Sequence, residues 1–190
     1  MSAAAAPVTE GTARRHPPLP GRRWRGAATA VICGSGAVTV LVGGASTVGV
    51  TPFTAVPVAM VTVWALRRPA GWGAVALLVV QALAALVPSG VPTTVVDWAL
   101  AAAAGCAVVC THLCLSLLAA VPVRADLPRA TAGRWIGHAA LLSLATVLAA
   151  LLGLLASRTP TTWGPYVATA ALLALAALAW AVRAATRRGR

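Results

Sequence analysis

The chain has 190 residues, of which 59% are hydrophobic and only 9% charged, with a formal net charge of +12. A soluble domain is about a quarter charged, so this composition excludes a water-soluble fold: too few polar residues exist to cover its surface. All 15 basic residues are arginine and only Glu10, Asp97 and Asp126 are acidic, which leaves general acid-base and hard-metal chemistry almost no material.

Residues 1–25 are polar, Pro-rich and Arg-rich, and read as a disordered tail rather than a packed element. Read as the charged region of a signal peptide ahead of Ala27, they are followed by no convincing small-x-small cleavage site, and Arg22 and Arg23 are not embedded in a twin-arginine export motif. From Gly26 to Leu66 no residue is charged. As one helix this run would reach about 60 Å, twice the hydrocarbon thickness of a bilayer, so it folds back as a hairpin at the Gly, Ser, Thr and Pro cluster of residues 44–52. The spans expected from it are 27–44 and 50–66, the second kinked at Pro57. A third span covers 70–87 and ends at Pro88; a fourth covers 97–121 and ends at Pro122. The fifth covers 135–157 and the sixth 165–182, followed by a basic tail at 184–190. Five spans result instead if the first hairpin is re-entrant.

The arginines test this count independently. With the N-terminus in the cytoplasm, Arg14, Arg15, Arg22, Arg23 and Arg25, then Arg67 and Arg68, then Arg124, Arg129 and Arg134, then Arg183, Arg187, Arg188 and Arg190 all fall inside, and Arg158 alone falls outside. That is the positive-inside asymmetry. The tryptophans Trp24, Trp64, Trp72, Trp98, Trp135, Trp163 and Trp180 lie at or near span ends, where an indole sits at headgroup level. The basicity therefore serves anionic lipid headgroups and not nucleic acid, for which no motif is present. The expected architecture is all-α: a polytopic transmembrane bundle of about six spans in the cell (plasma) membrane, both termini cytoplasmic.

The stretch "CAVVCTHLC", residues 106–114, is the densest concentration of potential ligands. On a regular helix Cys106, Cys110 and Cys114 advance by only about 40° per step, whereas His112 lies about 200° from its cysteine neighbours. One ion could not readily take both residue types from one helix. Ala102 extends the cysteine row, and Ala102, Cys106, Cys110 and Cys114 read as a small-residue seam against another helix. A soft-metal site would need ligands from a partner helix. Cys33 lies in the first span, but no C-x-x-C occurs and no cysteine adjoins a proline, unlike membrane thiol-disulfide carriers. No metal, cofactor or disulfide framework is expected.

Intramembrane polar residues are costly and frequently functional. His112 and His138 lie in consecutive antiparallel spans at similar depth, and Gln81 is the only amide in any span. Together they form a possible polar site, with local hydrogen bonding as the competing role of each. Asp97 and Arg158 are the only charges expected outside, and they would pair if their spans adjoin. The link at 123–135 carries Asp126 and reads either as a docking surface for a soluble partner or simply as a loop holding the positive-inside signal. "CGSG", residues 33–36, is out of register for the serine turn of intramembrane proteases. No carboxylate pair, H-E-x-x-H or phosphate loop occurs, and catalysis is not expected. Two inverted three-span repeats would suit a transporter, but the broken second span, with Pro52 and Pro57, has no counterpart in the fifth.

The run "THLCLSLLAAVPVRADLPRATAGRW", residues 111–135, resembles a stretch in small multi-span membrane proteins of actinomycete-type, high-GC bacteria to which no activity is assigned. The resemblance implies a bacterial inner-membrane protein and transfers no site. The function expected is that of a non-enzymatic structural or accessory subunit of a membrane assembly. It would contact a membrane or cytoplasmic protein partner or form a homo-oligomer. The alternative is a small transporter or channel lined by His112, His138 and Gln81.

Overall fold

A computed structural model describes residues 18–45, 52–89, 92–122 and 124–158. Five helices follow in chain order: α1 (Gly21–Ala45), α2 (Pro52–Arg67), α3 (Trp72–Ser89), α4 (Val95–Ala120) and α5 (Arg129–Arg158). Among the described residues there is no strand, only an isolated antiparallel bridge between Leu19 and Leu127. The chain is therefore all-α. Three helices, α1, α4 and α5, are long and apolar enough to cross a membrane, while α2 and α3 are apolar but shorter. The sixth expected span, 165–182, and the tail at 184–190 lie outside the described residues.

Helix ends are set by caps and prolines more than by hydropathy. The backbone carbonyl of Pro20 accepts from the amides of Arg23 and Trp24, so α1 begins at Gly21 instead of 27. Likewise the Pro128 carbonyl accepts from Ala132, and α5 begins at Arg129 instead of 135. Arginine has a good helix propensity, so both helices extend past the apolar segment into polar sequence. At α4 the Thr94 side chain accepts from the Asp97 amide while the Asp97 carboxylate accepts from the Thr94 amide, a reciprocal capping box. Helix α2 continues through Pro57.

The helices alternate in direction. One apolar cluster joins Trp24, Ala28 and Ile32 of α1 to Ala65 of α2, Leu77 of α3, Leu115 and Leu118 of α4, and Leu127. A second joins Val42, Ala85 and Ala104, at the opposite ends of α1, α3 and α4. Arg22, Arg23, Arg25, Arg67, Arg68, Arg124, Arg129 and Arg134 consequently belong to the end of the bundle that holds the first cluster, and Arg158 belongs to the other. Helix α1 is central, packing on α2, α3 and α4, while α5 packs mainly on α4.

Small residues occur at the crossings, as expected where lipid is as apolar as the helices and close packing must hold them together. A Cβ at Gly73 would lie 3.2 Å from the Ala65 backbone, and one at Gly105 would lie 2.6 Å from Thr146 Cγ2. One at Gly153 would collide with the Trp98 ring. The first positions α3 on α2, and the other two position α5 on α4.

The expectation of a disordered tail through residue 25 is corrected at its C-terminal part. The amides of Leu19 and Leu127 each donate to the other residue's carbonyl, at 2.9 and 3.0 Å. The Gly21 amide donates to Asp126 Oδ1 at 2.9 Å, Trp24 Nε1 to the Ala125 carbonyl at 3.2 Å, and Arg25 Nη2 to the Val121 carbonyl at 2.6 Å. The Arg25 guanidinium lies 4.8 Å from the centre of the Trp24 ring, a cation–π contact. Residues 19–25 thus clamp the α4–α5 link, and Trp24, only 6% exposed, is a core residue rather than a headgroup anchor. Trp72, 81% exposed, retains the anchor geometry.

Candidate functional site

The middle of the bundle holds a cluster of buried polar residues, Ser35, Thr39, Thr62 and Gln81. On α1 the inward stripe runs Trp24, Ala28, Ile32, Ser35 and Gly36, then Thr39 and Val42, the three-to-four-residue spacing of one helix face. Thr62 of α2 and Gln81 of α3 are buried against it. The point at which Gly36 would carry a Cβ lies 3.7 Å from both Gln81 Nε2 and Thr62 Oγ1, and 3.3 Å from Val58 Cγ1. Three helices therefore meet at Gly36, and the absence of a side chain there leaves room for the amide.

The hydroxyls of this cluster have local partners. Thr39 donates to the Gly36 carbonyl at 2.8 Å and Thr62 to the Val58 carbonyl at 2.6 Å, the back-bonding habit of Thr within helices. Gln81 does not: it is 0% exposed, and among the described residues neither Nε2 nor Oε1 has a hydrogen-bond partner. A buried amide without partners costs several kcal/mol in an apolar medium, roughly 2–7 depending on the reference. The helix-to-helix hydrogen bond expected of Gln81 is not made. Between α1 and α2, a cleft of about 380 Å³ includes Cys33, Gly36, Val58, Ala59 and Thr62 in its walls. Gln81 is not part of those walls: its fully buried amide lies near Gly36 and Thr62 without being exposed to the cleft.

The remaining expected residues are placed elsewhere. His112 is exposed on α4 and lines a groove of about 250 Å³ with Pro69 and residues of α3 including Ala74 and Leu78. His138 is exposed on α5, its Nδ1 2.6 Å from the Arg134 carbonyl. Gln81 faces inward while both histidines face outward, so the three do not form one lining. Asp97 spends its carboxylate on the amides of Thr93 and Thr94, at 3.1 and 2.8 Å. The outer ion pair with Arg158 is thereby corrected: Asp97 is a cap. Asp126, expected to be available for docking, holds the Gly21 amide.

Cys106, Cys110 and Cys114 are half-buried and free, and Cys33 is exposed. Cys106 Sγ donates weakly to the Ser143 carbonyl of α5 at 3.7 Å, and Cys114 packs against the first apolar cluster. Ala102 is half-buried on the same row. The most buried stripe of α4 is the adjacent one, Ala104, Ala107, Thr111, Leu115 and Leu118. Among the described residues no group of three or more His, Cys, Asp or Glu could hold a metal ion.

Sequence reasoning missed Ser35, Thr39, Thr62 and Thr111 as buried polar residues. The available signal was their position: Ser35 and Thr39 are four apart on α1, on the row continuing from Ala28 and Ile32. Thr111 Oγ1, Trp98 Nε1 and Arg25 Nε are further buried polar atoms without partners. The chain matches no protein-family model, no curated protein and no solved structure.

Proposed function

We propose that the chain is a multi-pass protein of the cell membrane, with about six spans and both termini cytoplasmic, and that it acts as a non-enzymatic accessory subunit of a membrane assembly. The observation that carries this reading is α5. It has 30 residues, and none is buried. Along it Ile136, Leu142, Leu144, Val147, Leu148, Leu151 and Leu155 are exposed. A helix held by one neighbour among the described residues and apolar on its other faces suits contact with apolar helices of a partner.

Orientation is supported by the arginines, since eight of those in the described helices and links share one end of the bundle and Arg158 alone marks the other. The non-enzymatic reading is supported by the use of both described carboxylates, Asp97 in a helix cap and Asp126 on the Gly21 amide. The alternative, a small transporter or channel, draws on the buried amide of Gln81 alone, because His112 and His138 face outward.

The test is to tag the C-terminus, extract the protein gently from its native membrane and weigh what co-purifies. A partner at fixed stoichiometry, lost when Leu144 and Leu151 are replaced by Arg, is the expected result. Recovery of the chain as a monomer, unchanged by those substitutions, overturns the reading. Recovery as a homo-oligomer, again unchanged, moves the weight to transport.

A further inference from the structure

We propose that the groove between α3 and α4, at the arginine-bearing end of the bundle, seats one anionic phospholipid, with its phosphate on Arg67 and Arg68 and one acyl chain in the groove. The proposal rests on the membrane reading above and needs no protein partner.

The α2–α3 link supplies the charge. Arg67 closes α2, Arg68 follows it, and both are exposed. Among the described residues neither pairs with a carboxylate, since Asp97 caps α4 and Asp126 holds the Gly21 amide. Two adjacent unneutralised guanidinium groups are the forked donors that suit a phosphate. The chain then turns, the Gly71 amide donating to the Arg68 carbonyl and the Ala74 amide to the Gly71 carbonyl, each at 3.1 Å. This turn brings the positive end of α3, a helix of 18 residues, beside the arginines. The opposing carbonyl end of α4 is covered, because the Leu117 carbonyl accepts from the Val121 amide and the Val121 carbonyl from Arg25 Nη2. Trp72, 81% exposed, opens α3 next to the same turn, as an indole does at headgroup level.

The groove starts where this charge ends. Its walls run from Pro69 to Leu78 on one side and from Ala119 back to His112 on the other, a depth of about 10 Å for seven helical residues. A Cβ at Gly71, a wall residue, would lie 3.9 Å from Arg68 Cβ, so arginine and groove are contiguous. Apart from His112 and Ser116 the described wall is apolar, and none of it is acidic. Its volume, about 250 Å³, equals about eight water-sized volumes of ~30 Å³, room for the upper part of one acyl chain. A soluble anion would leave the groove unfilled and a neutral lipid would leave the arginines unpaired; an anionic lipid satisfies both. One seated lipid differs from the diffuse attraction to anionic headgroups that every arginine of this end shares.

The test reconstitutes the full chain in nanodiscs with equal amounts of phosphatidylglycerol and phosphatidylcholine of the same acyl chains. Incorporation and helix content are measured first, as a separate check of the membrane reading. Lipids retained after transfer to detergent are then counted by native mass spectrometry. One phosphatidylglycerol per chain is expected, retained at least about tenfold over phosphatidylcholine. R67Q/R68Q should remove the preference, and A119W, which fills the mouth of the groove, should release the lipid. R129Q/R134Q, which removes two arginines of α5 at the same end, should change neither. Equal retention of the two lipids, equal losses in R67Q/R68Q and R129Q/R134Q, or retention unchanged in a folded A119W protein overturns the proposal. Displacement by glycerol phosphate as effective as by the lipid also overturns it, since the arginines would then serve a free phosphate. If A119W does not fold, the exposed pair R67Q/R68Q set against R129Q/R134Q decides.

Discussion

Helices α1 and α5 are both uncharged through their middle and both long enough to cross a membrane, yet they hold opposite places in the fold. Nine residues of α1 are buried and none of α5 is. The difference lies in what meets each helix among the described residues. The buried row of α1 includes Ala28, Ser35, Gly36, Thr39, Gly43 and Gly44, which let three other helices approach. Helix α5 has small residues too, Gly133 and Gly137 among them, but a Cβ at either meets nothing within 4 Å among the described residues. It touches α4 where Thr146 approaches Gly105, Trp98 approaches Gly153 and Cys106 approaches Ser143. Hydropathy identifies a span, but a small residue on it marks a crossing only where the fold brings another helix to it.

The largest effect expected from this contrast is at Ile32, which is 0% exposed on α1. Ile32→Ala should cost ~2–5 kcal/mol through lost contacts and a residual cavity. Leu148→Ala, on the exposed side of α5, should stay within ~0.5 kcal/mol. Equilibrium unfolding in detergent measures both, and equal losses would erase the distinction between the helices. Next comes the α4–α5 crossing. Gly105→Val places new atoms against Thr146, and overpacking of this kind costs about 1–3 kcal/mol. The accompanying sign is faster proteolysis at the link around Arg129, while the α1–α4 core stays folded.

A smaller effect is expected at the start of α4. Thr94→Ala removes half of the capping box and should lower stability by ~1 kcal/mol, seen as faster hydrogen exchange in the first turn of the helix. The smallest is Arg158→Gln. If Asp97 is a cap and not an ion-pair partner, this substitution should leave stability within ~0.5 kcal/mol. A loss matching that of Asp97→Ala would restore the ion pair.

The described helices were legible because charge-free runs are a one-dimensional property, although three of the five are long and apolar enough to cross a membrane. Helices α2, α3 and α4 begin and end close to where hydropathy and proline place them. Residues 19–25 were not legible. Their order comes from the carbonyls of Val121 and Ala125 and the carboxylate of Asp126, about a hundred positions away, which no local composition reveals. The candidate site was half legible. Gln81 was visible as the lone amide of the spans, but its neighbours Thr39 and Thr62 bond their own helices and carry no signal beyond their place on a row. That His112 and His138 lie on two neighbouring helices was readable and their facing was not, because α4 and α5 are apolar all round and periodicity then assigns no inner side.

The most direct test of the claim that α5 faces a partner is photocrosslinking in the native membrane. Benzoylphenylalanine placed at Leu144 of α5 and, as a control, at Met60 of α2 would be irradiated in cells. The account predicts a discrete adduct to another protein from Leu144 and lipid adducts from Met60. Lipid adducts from both positions, or a crosslink from Leu144 to residues 159–190 of the same chain, would contradict it.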